Sequence, residues 1–223
     1  MIFSPFALLF FIFFLFLVIF LFIFIHVGLI TVAASKLGLT GDQILFFLLG
    51  SLIGSHINIP IKKIEHGEEI HPERVVNFFG IRYVVPEVRE RRVTIIAVNV
   101  GGCIIPVFIS LYLMIKHGLF LSPLLATAVV SFVCYKLARP VPGIGIAIPM
   151  FIPPLVAALV ALILSPEKAP VVAYISGTLG TLIGADILHL KDVPRLKAPV
   201  ASIGGAGTFD GIFLTGIIAV LLA

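Results

Sequence analysis

The sequence predicts an all-α polytopic membrane protein. It reads as one transmembrane domain over residues 1–223, with seven membrane-spanning helices and a parallel internal repeat of three plus one plus three. Three observations carry this. The 223-residue chain is 60% hydrophobic and 12% charged, with mean hydropathy +1.23; soluble domains average about 45–50% apolar and about 25% charged residues. The apolar residues fall into seven runs close to the roughly 20 residues that cross a bilayer. The basic residues lie almost wholly in alternate loops.

The runs cover 6–30, 43–61, 93–115, 118–137, 142–165, 169–190 and 198–222. The first contains FIFFLFLVIFLFIFI at 11–25 and has no basic flank. A signal peptide has a basic flank and an apolar core of about 7–15 residues, so this run reads as a first transmembrane helix. The second and third enclose the one long polar segment, 61–92, expected as a cytoplasmic loop with a small hairpin around Asn77 and Gly80. His66, Glu68, Glu69 and His71 lie there, but nothing fixes a ligand geometry, and a solvated charged loop is expected rather than a metal site.

The fourth run is short and begins near Pro123, and loop charge decides whether it crosses. With seven crossings, one side receives Lys62, Lys63, Arg74, Arg82, Arg89, Arg91, Arg92, Lys136, Arg139, Lys191, Arg195 and Lys197, and the other only Lys36, Lys116 and Lys168. Without the fourth crossing the split becomes eight against seven. The positive-inside rule selects seven, with the N-terminus cytoplasmic and the C-terminus outside the cell membrane. Loop orientation therefore accounts for the net charge of +4, and no nucleic-acid partner is expected. Tyr112, Tyr135 and Tyr174 fall near predicted helix ends, where amphipathic rings favour the headgroup zone. Cys103 and Cys134 sit in apolar runs and are expected to act as small hydrophobes, without disulfide or metal.

The repeat rests on two matched pairs. GSLIGSHI (50–57) aligns with GTLIGADI (180–187), and NVGGCIIP (99–106) with SIGGAGTFD (202–210). The separation drops from 130 to 103 residues, and the 27-residue difference corresponds to the long loop of the first half. Gly50/Gly54 and Gly180/Gly184 are small-xxx-small pairs, best explained by close helix packing. Gly101, Gly102 and Pro106 in one half, and Gly204, Gly205 and Gly207 in the other, are expected to break their helices at comparable levels.

Two acids remain inside the spans. Asp186 lies about 7 Å from the cytoplasmic edge if helical and Asp210 about 18 Å deep. An acid at a helix centre costs roughly 2.5–3.5 kcal/mol on insertion scales and marks a pathway or site by default. Without a basic partner in any span, Asp210 would stand neutral, or be balanced by a bound cation or a histidine. His189, three residues after Asp186, shares its helical face. His56 is the first-half counterpart of Asp186, two residues before Asn58, and Asn99 corresponds to Ser202. Thr208 completes the expected pathway set of Asp210, Asp186, His56, His189, Asn58, Asn99, Ser202 and Thr208.

The stretches LGSLIGSHINIPI, AVNVGGCIIPVFISLYL, RPVPGIGIAIP, GTLIGADILHL and SIGGAGTFDGIFLTGI resemble a prokaryotic multipass family known as domain of unknown function 1614, which brings no established activity. A weaker resemblance is to GxGD intramembrane aspartyl proteases, which place one acid on each of two successive helices; it implies Asp186 and Asp210 as the catalytic pair. Here GTFD stands where GxGD belongs, and Pro153-Pro154-Leu155 lies upstream of the acids rather than after them. A regular hairpin leaves the two acids about 12 Å out of level, so carboxylates more than about 6 Å apart are expected, beyond the reach of a shared proton.

The leading expectation is a small-solute or ion transporter, proton- or cation-coupled, without enzymatic activity or cofactor. Its partners would be the bilayer, a small solute or cation, and a second copy of the chain if it self-associates. An aspartyl protease-like hydrolase and a non-catalytic assembly subunit are the alternatives.

Overall fold

The computed structural model describes residues 5–65, 69–71, 74–78, 81–85, 88–90, 93–141, 145–196, 198–205 and 211–223. Among these the protein is mostly helical: α1 (Pro5–Lys36), α2 (Gly41–Gly54), α3 (Ile105–His117), α4 (Leu121–Leu137), α5 (Ile152–Leu164), α6 (Ala169–Thr181) and α7 (Gly211–Leu222). Two π-helical turns, Val100–Ile104 and Leu182–Asp186, lead into α3 and out of α6, and the second continues as a 3-10 segment, Ile187–Leu196. Among the described residues, two stretches are long and apolar enough to cross a membrane, Val100–His117 and Pro166–Pro194.

The all-α expectation is corrected by the strands. β1 (Asn58–Glu65) runs on from the end of α2; β2 (Glu69–His71), β3 (Arg74–Phe78), β4 (Ile81–Val85) and β5 (Val88–Glu90) follow in the long loop. β6 (Val93–Asn99), β7 (Arg139–Val141), β8 (Gly145–Ala147) and β9 (Val200–Ile203) complete the set. β3 and β4 pair antiparallel around Asn77, where the hairpin is expected. β1, β6 and β9 form a sheet in that order: β1 is antiparallel to β6, with Asn58 opposite Asn99, and β9 is parallel to β6, with Ser202 opposite Ala97. The expected helix at 93–115 is therefore a strand over Val93–Asn99 and helical from Val100, and the expected helix at 198–222 holds the strand Val200–Ile203 and is α-helical over Gly211–Leu222. The physical reason is visible in VTIIAVN, five of whose seven residues are β-branched. Hydropathy measures how apolar a run is, and short apolar strands and helices score alike. Pro60, which has no N–H to give a ladder, sits on the edge strand where the β1 register shifts.

α6 is central. Every one of its residues except Pro170 and Leu179 is buried, and it packs on α3, α4, α5 and α7. A helix that is apolar all round has no solvent face to offer. Tyr174 belongs to this core at 3% exposure, which corrects its expected place among interfacial rings.

Glycine sets the closest contacts. A Cβ on Gly184 would collide with the Ser131 carbonyl of α4, and one on Gly180 would lie 2.6 Å from Val130. A Cβ on Gly54 would lie 3.0 Å from Gly101 N. Gly50 differs from these three: its Cβ would meet only Ile105 Cδ1 at 3.5 Å, an ordinary contact.

At one end of the bundle, Lys36 Nζ donates to the Val220 and Leu221 carbonyls at 3.3 Å each. Lys116 donates to the Gly38 carbonyl, and His117 Nε2 lies 3.2 Å from the Leu37 carbonyl. Gln43 Nε2 donates to Tyr112 Oη at 3.0 Å. The α1–α2 turn, the α3–α4 turn and the chain's C-terminal end thus gather on one side. The basic β7 strand packs against the Ile187–Leu196 segment, whose residues precede β9 of the sheet.

Candidate functional site

The site forms where sheet gives way to helix. β6 ends at Asn99, whose side chain caps the π turn: its Oδ1 accepts from Gly102 N at 2.8 Å. Its Nδ2 donates to the Ser55 carbonyl at 2.7 Å and to Asn58 Oδ1 at 3.0 Å. Asn99 is only 1% exposed, so each bond replaces water the group cannot reach. Asn58 Oδ1 also accepts from Ser202 Oγ at 2.6 Å. One buried amide therefore ties the end of α2, the start of β1 and the Gly102 turn together, and through Asn58 it reaches β9.

The two double-glycine motifs meet beside this network. Gly204 and Gly205 take φ of 86° and 88°, the left-handed region that a side chain disfavours, and so turn the chain away from β9. The backbone of Gly102 presses against the Gly204 carbonyl so closely that a Cβ there would overlap it, and a Cβ on Gly204 would lie 2.7 Å from Cys103 N. Gly101 faces α2 in the same way, where Ser51 Oγ donates to its carbonyl at 2.7 Å.

Asp186 closes the arrangement. It is the last residue of the second π turn, and its Oδ2 accepts from Gly204 N at 2.8 Å. The carboxylate thereby holds the left-handed glycine turn, and it lies within electrostatic reach of Cys103. On its other side it borders a cavity of about 220 Å³. Thr181, Asp186 and Ser202 supply that cavity's polar side chains, and Ile146, Leu190, Val193, Leu196, Ile203 and Ile212 contribute to its apolar wall. π turns interrupt the i to i−4 ladder and recur at functional positions; here one presents Asn99's partner Gly102 and the other presents Asp186.

The expected pathway residues thus separate into three groups. Asn58, Asn99, Ser202 and Asp186 come together. His56 is exposed, with Nδ1 3.1 Å from the Leu52 carbonyl of its own helix. His189 is buried, with Nδ1 3.1 Å from the Gly184 carbonyl and its ring 4.9 Å from that of Tyr135. Asp210, Thr208 and Gly207 lie outside the described residues, as do His66 and Glu68 of the long loop, so the separation of the two acids is not defined. The depth of about 18 Å expected for Asp210 counts a helix from residue 198, where the chain is a strand over Val200–Ile203, and Asp210 itself lies outside the described residues.

Residue reading missed Ser55, Thr181 and the backbone of Gly204. Ser55 and Gly204 contribute through main-chain atoms, which leave no signature in side-chain chemistry. Thr181 lies in the GTLIG segment, where the glycines carry the packing signal and a single helical threonine carries none.

The fold and site define a mostly helical protein with helices able to cross a membrane and a polar corner where strands and π turns interrupt them. The chain belongs to the family described as "Protein of unknown function (DUF1614)", which it matches over residues 52–222. That match covers the sheet, the polar corner, the cavity and α3 to α7. No curated protein and no solved structure matches the chain. The weaker resemblance to intramembrane aspartyl proteases is not borne out.

Proposed function

We propose that the chain is a multi-pass protein of the cell membrane that moves a small solute or ion through the polar corner, with proton or cation coupling through its acids. The observation that carries this is the joining of Asn58, Asn99 and Ser202 to Asp186, through Gly204, on the wall of a 220 Å³ cavity. Binding sites of secondary transporters are built from broken helices whose irregular backbone lines a cavity. Asp210, next in sequence to the first residue of α7, is the second acid of this reading.

Seven crossings with a cytoplasmic N-terminus are part of the proposal. Alternating crossings require the α1–α2 turn, the α3–α4 turn and the C-terminus on one side, and the contacts of Lys36, Lys116 and His117 support that grouping. The parallel pairing of β6 with β9 supports the three-plus-one-plus-three repeat, because the matched NVGG and SIGG segments leave neighbouring strands in the same direction.

Currents on solid-supported membranes carrying proteoliposomes, screened over ions and small metabolites, test the reading. Asp186→Asn is expected to reduce a current that the wild type supports. If Asp210→Asn leaves every detected current unchanged, Asp210 is not part of the site. Purified protein that moves nothing but co-purifies with a stoichiometric partner refutes transport in favour of an assembly role.

A further inference from the structure

Lysines at the two ends of the bundle are held differently. Lys36 and Lys116, near the α1–α2 and α3–α4 turns, spend their ammonium groups on main-chain carbonyls. At the far end of α4, Lys136, Arg139 and Lys191 are exposed and donate to no described residue. None of the three is in an ion pair with a described acid, the adjacent Asp192 included. Lys136 Nζ lies instead over two rings, 5.6 Å from the centroid of Phe132 and 5.9 Å from that of Tyr135.

The three cations flank one contact. The Tyr135 ring lies 4.9 Å from that of His189 and joins α4 to the Ile187–Leu196 segment. Lys136 follows Tyr135 directly, and Lys191 is two residues beyond His189. Arg139 opens β7, which packs on the same segment. Each side of the contact also carries exposed apolar surface. On α4, Leu121, Leu125, Val129 and Phe132 are exposed and recur at four- and three-residue spacing, so they form one stripe that Lys136 continues. The stripe runs about 22 Å along the helix. On the other element, Ile187 and Leu188 are exposed shortly before Lys191. Apolar surface on both elements thus ends in a cation at the same contact. A bilayer changes in that order with depth, from acyl chains to headgroups.

We propose that this corner binds an anionic phospholipid, with its phosphate among Lys136, Arg139 and Lys191 and an acyl chain along the Phe132 stripe. A guanidinium pairs with phosphate through two parallel N–H bonds, and a lysine binds it as a point charge. Lysine also keeps its stem on apolar surface while its head reaches the phosphate level. Basic pockets between membrane helices on the cytoplasmic side take such headgroups. A soluble phosphate compound would use the cations and leave the apolar stripe uncovered, whereas a lipid covers both. The proposal rests on the multi-pass reading above and is independent of transport.

Native mass spectrometry of the full chain in detergent tests the site, with phosphatidylglycerol and phosphatidylcholine of the same acyl chains as probes. The wild type is expected to retain phosphatidylglycerol in preference to phosphatidylcholine. Lys136→Gln/Arg139→Gln/Lys191→Gln is expected to bind phosphatidylglycerol roughly tenfold or more weakly. Equal binding in the two proteins overturns the proposal. So does a fall as large in Lys62→Gln/Lys63→Gln, exposed lysines of the edge strand β1, because the effect would then be one of bulk charge. Glycerol phosphate at the same concentration is expected not to displace the lipid, and displacement would refute a lipid in favour of a soluble anion. Surface substitutions change stability little. Should the triple variant still fail to fold, Lys136→Gln alone is expected to weaken phosphatidylglycerol binding severalfold, and wild-type binding there overturns the proposal too. Charge-dependent lipid binding in a chain that carries no current upholds the site and refutes the transport reading alone. Binding independent of the three cations, in a chain that carbonate does not release from membranes, refutes the site and leaves the multi-pass reading standing.

Discussion

Replacing Asn99 with alanine is the sharpest test of the polar corner. The side chain makes bonds of 2.7, 2.8 and 3.0 Å at 1% exposure. Its removal strands the Ser55 carbonyl and the Gly102 N–H. Each buried unsatisfied group costs about 1–3 kcal/mol, and the Gly102 share overlaps an N-cap worth about 0.5–2 kcal/mol. Asn58 Oδ1 keeps its bond from Ser202, so the third loss is small. The expected destabilisation is about 3–5 kcal/mol by that reckoning. A chain of this length shifts Tm by roughly 2–4 °C per kcal/mol, so Tm should fall by about 6–20 °C. A thiol-reactive dye in detergent reports it as the appearance of a second reactive thiol, because Cys103 is partly exposed and Cys134 is fully buried until the bundle opens. Asn99→Asp sharpens the test. It keeps the oxygen that caps Gly102 N but turns a second oxygen toward the Ser55 carbonyl and Asn58 Oδ1. It should therefore be destabilised about as much as the alanine variant, although aspartate is a good N-cap. An Asn99→Asp protein with wild-type Tm would refute the bridging role and leave a cap alone.

The remaining predictions use the same assay. Gly102→Ala should fail to give folded protein, because its Cβ would overlap the Gly204 carbonyl, whereas Gly28→Ala, with open space around it, should be neutral or gain up to about 1 kcal/mol. Gly184→Ala should destabilise more than Gly180→Ala, because it meets backbone rather than the Val130 side chain, and Gly50→Ala should be tolerated. Equal effects at the three would refute that ranking. His56→Ala should leave Tm within about 1–2 °C of wild type, because surface changes stay within about 0.5 kcal/mol. A larger loss would show that His56 is held by more than its own helix end.

Composition pointed to the broad class, a mostly helical chain with stretches apolar enough to cross a membrane. Burying 60% apolar residues with only 12% charged ones leaves few arrangements outside a membrane. Gly54, Gly180 and Gly184 were legible as close-packing positions because a residue without Cβ permits backbone approach, whereas Gly50, read the same way, makes only an ordinary contact. Asn58, Asn99, Ser202 and Asp186 were legible as polar residues in apolar surroundings, which carry a cost unless partnered. Their partnership was not. Asn58 and Asn99 are 41 residues apart and Asn58 and Ser202 are 144 apart, and they meet only through the pairing of β1 and β6 with β9. That sheet escaped reading because 93–99 and 200–203 are apolar enough to pass for helix starts. A backbone N–H finds its strand partner by tertiary contact, which no local period announces. The histidines show the same limit from the other side. His56 aligns with Asp186, three residues before His189, yet His56 ends exposed just beyond α2 and His189 buried against Tyr135. His189 follows the π turn after α6, with its Nδ1 at the Gly184 carbonyl, whereas His56 follows the end of α2, with its Nδ1 at the Leu52 carbonyl, and the packing around each turn rather than the residue type decides which ring is covered.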